Sequence, residues 1–83
     1  MASAAEKILA RMRESKAGWG PRDLRTLYNG FGFHCREGAS HTVYMHGTYR
    51  DVRDTVPRHG ELPVGYIQSA IKKIDEVLRR DGR

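Results

Sequence analysis

The chain has 83 residues, with fifteen Lys and Arg, ten Asp and Glu, four His and one Cys, and a formal net charge of +5. That length allows one domain with a modest core and excludes multi-domain enzymes. The lone Cys excludes an internal disulfide, so a stapled secreted mini-protein is not expected. No apolar run approaches the roughly 18 residues of a membrane span, and no signal-peptide stretch opens the chain. A small soluble cytoplasmic protein is expected, with no membrane partner.

Positive charge gathers at the two ends. Residues 1–17 carry four basic against two acidic side chains, and residues 62–83 carry five against three. Residues 31–61 are neutral and hold all four histidines, His34, His41, His46 and His59. Such a basic balance suits a polyanion, nucleic acid first, through Coulombic attraction to phosphates. An acidic protein partner fits the charge equally well.

Ser3-Ala4-Ala5-Glu6 forms a capping box, and Ala5, Ile8, Leu9 and Met12 recur as one helical stripe. A helix over residues 4–16 is expected, stopping near Gly18. Pro21 suits a helical first turn, because its missing N–H has no intrahelical partner there. Leu24, Leu27 and Tyr28 make the buried face of a second helix, which Asn29-Gly30 ends. Trp19 is expected to pack beneath the corner between the two helices.

From Phe31 the period shortens to two. Phe31, Phe33 and Cys35 alternate with Gly32, His34 and Arg36, which predicts a half-buried strand with Cys35 inward. Glu37-Gly38-Ala39 reads as a turn, Ser40–His46 as a strand, Gly47-Thr48-Tyr49 as a turn and Val52–Val56 as a third strand closed by Pro57. Short connections imply an antiparallel meander. After a loop at Arg58–Leu62, Pro63 starts a last helix with Ile67, Ala70, Ile71, Ile74 and Leu78 on one face. The order α–α–β–β–β–α predicts an α+β two-layer sandwich with one open sheet face.

These elements carry residues suited to three kinds of chemistry. Metal binding would draw on Cys35 and the histidines, but His41 and His46 have opposite strand parity, and Cys35 falls on the apolar parity. Nucleophilic catalysis lacks an activated thiol, and Ser40 and His41 are not expected to pair, because neighbours on a strand project oppositely. Histidine acid–base chemistry on RNA needs less. The ribose 2′-OH supplies the nucleophile, a group titrating near neutrality moves the proton, and cations stabilise charge on phosphorus.

Four blocks in order sharpen that reading. Asp23-Leu24-Arg25-Thr26-Leu27 with Gly32-Phe33 comes first, then Glu37-Gly38-Ala39-Ser40-His41-Thr42-Val43-Tyr44. Thr55-Val56-Pro57-Arg58-His59 and Leu62-Pro63-Val64-Gly65-Tyr66-Ile67-Gln68-Ser69-Ala70-Ile71 follow. Together they resemble the HicA family of toxin–antitoxin toxins over residues 21–77. The resemblance implies a double-stranded-RNA-binding-domain-like α-β-β-β-α sandwich at 21–80. Residues 1–20 are expected as an N-terminal helix extension packed on the same domain, and the tail at 81–83 is expected to fray. It also implies a ribosome-independent mRNA endonuclease that uses neither metal nor cofactor and is silenced by a HicB-like antitoxin protein. The residue matching the family's catalytic His is His41. Ser40, His59, Arg36, Arg53, Arg58 and Lys73 are the expected RNA contacts.

Two departures stand out. Ala39 occupies the position where the family usually has Gly, so a turn that needs positive φ there would shift. The first helix is additional; it enlarges the core, covers part of the sheet or provides a contact for a homodimer. Strand parity sets a further condition. His41 shares its face with Val43 and Met45, so one reading buries that face with His41 capping it. Catalysis requires Thr42 and Tyr44 inward and His41, Val43 and Met45 on the open face, and the resemblance favours this second arrangement where hydrophobicity does not decide. The alternatives are a non-catalytic RNA-binding module and a basic protein-interaction domain.

Overall fold

The structure is a computed structural model in which residues 2–82 are described. Helix α1 spans Ala4–Glu14, α2 Pro21–Gly30 and α3 Val64–Arg80; the strands are β1 Phe33–Glu37, β2 His41–His46 and β3 Arg53–Pro57. The sheet is antiparallel in the order β1-β2-β3. Three helices and one three-stranded antiparallel sheet make this an α+β chain with an open sheet face, as the periodicity predicts.

The helix starts follow their capping chemistry. Ser3 Oγ accepts from the Glu6 amide, and the Glu6 carboxylate accepts from the Ser3 amide in return. At α2 the Asp23 carboxylate accepts from the Gly20 amide, with Pro21 in the first turn. Helix α1 ends two residues earlier than expected, and the Lys16 ammonium donates to the Arg13 carbonyl beyond the last turn. Trp19 lies between α1 and α2, partly buried, and its indole N–H donates to the Ser15 carbonyl.

Helix α2 approaches β1, α3 approaches β3, and α1 rests mainly on α2 and α3. Leu9 and Met12 of α1 therefore join the core of Leu24, Leu27, Tyr28, Ile67 and Ile74. Burying side chains of this size stabilises by about 1.5–3 kcal/mol each. Helix α1 enlarges the core from the helical side and leaves the open face of the sheet uncovered. Val77, outside the expected stripe of α3, is also buried.

Parity in β2 is settled by aromatic packing. Thr42, Tyr44 and His46 are buried, whereas His41 and Val43 are exposed and Met45 is half-buried. The Tyr44 ring lies 4.6 Å from that of Tyr28, which also meets Phe33 at 4.6 Å. The Tyr44 ring offers more apolar area than Val43 or Met45 and meets the Tyr28 ring on the helical side, so the even positions face the helices. In β1 only Phe33 is buried; Cys35 is exposed, against the expectation from alternation. β1 is an edge strand with a neighbour on one side only, so correct parity does not by itself bring burial.

Candidate functional site

The β1–β2 turn, Gly38–Ser40, is closed by the Gly38 amide donating to the His41 carbonyl at 2.7 Å. Ala39 fits this turn without strain, since no described residue other than glycine has positive φ. The strand begins at His41, so Ser40 still belongs to the turn and alternation does not govern it. Ser40 Oγ lies 2.9 Å from His41 Nδ1, which corrects the expectation that these neighbours cannot meet. The contact engages Nδ1 and orients the imidazole, with the direction of the bond following the tautomer.

Arg58 braces the same turn. Its guanidinium donates to the Gly38 carbonyl at 2.6 Å, and its amide donates to the Ser40 carbonyl at 3.0 Å. The cross-strand register puts His41 opposite Pro57, Arg36 opposite Val43 and Arg53 opposite Met45. By alternation Arg36, His41, Val43, Met45 and Arg53 share the open face, together with His34. A shallow cavity of about 300 Å³ lies over this face between Arg36, Val43, Met45 and Arg53. The Arg53 guanidinium donates to the Arg50 carbonyl.

The other expected contacts are more dispersed. His59 is exposed in the loop two residues beyond Pro57. Lys73 sits on α3, where its ammonium donates to Ser69 Oγ at 2.6 Å and borders a cleft that Arg53 also lines. Lys73 thus flanks the β3 edge, apart from the face that carries His41.

His46 serves the fold. Its Nδ1 accepts from the amides of Thr48 and Tyr49 at 3.1 and 3.0 Å, and its Nε2 lies 3.0 Å from the Phe31 carbonyl. Two N–H donors on Nδ1 make Nε2 the donor to Phe31. The ring stacks on Tyr49 and meets Phe33 edge-on. Among the described residues no group of three or more His, Cys, Asp and Glu is placed to hold a metal ion.

Sequence reasoning missed a second basic site at the same end of the sheet, on its inner face. A cavity of about 310 Å³ is bordered by Arg22 and Arg25 of α2, Glu37, Thr42, Tyr44 and Arg58. Glu37 ion-pairs with both Arg25 and Arg58. Burial pushes the Tyr44 hydroxyl above its ordinary range, and a hydrogen bond with Arg25 pulls it partly back. The available signal was Arg22 and Arg25 at i, i+3 on the wet side of α2.

Comparison with protein-family models, with curated proteins and with solved structures returns no match. No described helix is long and apolar enough to cross a membrane.

Proposed function

We propose that the chain is a HicA-like RNA endonuclease on a double-stranded-RNA-binding-domain-like fold, with His41 as its acid–base group. The observation that carries this reading is His41 at the head of β2, exposed on the uncovered face, with Ser40 Oγ against Nδ1. That contact leaves Nε2 for a substrate. Arg36 and Arg53 on the same face, and Arg58 behind the turn, supply positive charge for a polyanion.

In the proposed step His41 Nε2 takes the proton of a ribose 2′-OH. The 2′ oxygen attacks the adjacent phosphorus, the bond from phosphorus to the 5′ oxygen breaks, and water protonates that leaving oxygen. His41 then returns its proton to solvent, leaving a 2′,3′-cyclic phosphate and a 5′-hydroxyl. The nucleophile belongs to the substrate, so one correctly placed imidazole and nearby cations suffice. Contacts to phosphate and 2′-OH dominate on such a surface, and little base-edge selectivity is expected. In the cell the substrate is mRNA in the cytoplasm, cut without the ribosome, and a HicB-like antitoxin silences the protein by covering the His41 face.

The test is incubation of purified wild type and His41→Ala with RNA, reading the ends formed. Wild type is expected to produce 2′,3′-cyclic phosphates without added metal, and His41→Ala to lose at least about a hundredfold in rate. RNA bound equally by both proteins and cut by neither overturns the enzyme and leaves a binding module.

A further inference from the structure

The cavity between α2 and the inner face of the sheet holds three guanidiniums against one carboxylate. Arg25 and Arg58 converge on Glu37, and among the described residues Arg22 makes no ion pair. Like charges gathered in a cleft repel one another, and a cleft with protein walls focuses the resulting field. Glu37 supplies one negative charge where three positive groups stand. Its side chain keeps 39% of its surface exposed at the free end of β1, so it can leave without disturbing the core. Planar guanidinium forks match phosphate oxygens in pairs, and a phosphate offers more acceptors than the carboxylate it displaces.

From this geometry we infer that the cavity is a phosphate-binding site held by Arg22, Arg25 and Arg58, with Glu37 as a built-in competing anion. Its place relative to His41 gives it a role. Pro57 borders the cavity and is the cross-strand partner of His41, and the Arg58 amide binds the Ser40 carbonyl. The cavity and His41 therefore occupy opposite faces of one sheet end, joined by the Gly38–Ser40 turn. An RNA strand crossing that end presents one phosphate to His41 and a flanking phosphate to the arginines. That source of phosphate rests on the reading proposed above; free inorganic phosphate does not.

The experiment measures binding of a labelled single-stranded RNA against salt, using full-length His41→Ala to prevent cleavage. Glu37→Gln and Arg25→Ala are each added to that background. Glu37→Gln is expected to tighten RNA binding roughly threefold, and Arg25→Ala to weaken it by a similar factor. Loss of one phosphate contact lowers the slope of log K against log salt by about 0.7. A parallel titration with inorganic phosphate follows the arginine side-chain NMR signals of the His41→Ala parent, so the site is tested even if a variant fails to fold.

Saturable movement of the Arg22, Arg25 and Arg58 signals supports a phosphate site open to the free ion. Changes in RNA affinity and salt slope without such movement assign it to RNA backbone alone. If Glu37 only pins α2 to the hairpin, Glu37→Gln lowers the melting temperature and leaves RNA affinity and slope unchanged. That result, with no phosphate-induced movement, overturns the inference. RNA that follows the variants yet is not cut by wild type refutes the nuclease and leaves the phosphate site standing.

Discussion

The Tyr28 hydroxyl on α2 donates to the Asp54 carboxylate on β3 at 2.8 Å, across the full width of the sheet layer. Tyr28 is fully buried, and its ring packs on Phe33 and Tyr44. One side chain thus spans β1, β2 and β3 from a single helix. Tyr28→Phe keeps the packing and leaves the part-buried carboxylate short of a donor, at an expected cost of about 1–3 kcal/mol. Urea unfolding at neutral pH measures it.

The same bond makes alkaline stability depend on Tyr28. Burial, then the Asp54 carboxylate, pushes the hydroxyl far above its ordinary value of 10.0. The unfolded chain ionises this tyrosine above that value, while the folded chain keeps it neutral. Its contribution is therefore complete below pH 10 and is lost as the pH rises further. Melting temperatures followed through that range should fall less steeply for Tyr28→Phe than for wild type; equal slopes would refute the assignment.

Gly30 at the end of α2 packs directly on Ala5 of α1, and a Cβ on residue 30 would overlap the Ala5 methyl. Replacing a helical glycine by alanine ordinarily gains about 0.5–1 kcal/mol. Here forced separation of the helices costs about 1–3 kcal/mol, and Gly30→Ala is expected to destabilise. Adding Ala5→Gly should restore part of the loss, since the two positions are in contact and do not add independently. A double-mutant cycle by chemical denaturation reads both signs.

Arg80 ties the end of α3 to the β2–β3 turn. Both of its terminal nitrogens lie 2.8 Å from the Asp51 carboxylate, and it also pairs with Glu76 and sits over the Tyr49 ring. The hydrogen bond from Arg80 holds Asp51 down at about 2, below its ordinary 3.8. The stability this provides is present above pH 3.8 and is lost as the pH falls towards 2. In Arg80→Ala that acid-dependent step should shrink, as measured by circular dichroism melts from neutral pH down to about 2.

Ser40→Ala tests how the proposed acid–base group is held. Loss of this exposed hydrogen bond, worth about 0.5–1.5 kcal/mol at most, is expected to reduce RNA cleavage about two- to tenfold and to lower the melting temperature by no more than a few degrees, leaving the protein folded at the assay temperature. Ser40→Thr keeps the hydroxyl and should retain most of the activity. An equal loss in both variants would exclude the Oγ–Nδ1 contact as the cause.

The elements themselves were legible because their signals are local. Spacing set the stripe of α3, Ser3 and Glu6 set the start of α1, and the change to period two marked the strands. What alternation left open was which parity faces inward, because β2 carries apolar residues on both. The choice came from Tyr28, whose ring receives that of Tyr44 from outside the strand and also meets Phe33. The exposure of Cys35 was hidden for a related reason: parity names a face, while burial also depends on whether the strand lies at the edge or the centre of the sheet.

His41 was identifiable as a candidate from its neighbours in sequence, but its pairing with Ser40 depended on where the strand begins. One residue of difference moved Ser40 from a strand, where it would point away, into a turn, where it reaches Nδ1. The meeting of Arg22 and Arg25 with Glu37 and Arg58 lay further out of reach, since it joins a helix, a strand end and a loop that no periodicity relates. The amino-acid order alone determined the helices, the strands and the surplus of positive charge. Only tertiary packing decided which face stayed open and which charges came together, because both depend on contacts between residues distant along the chain.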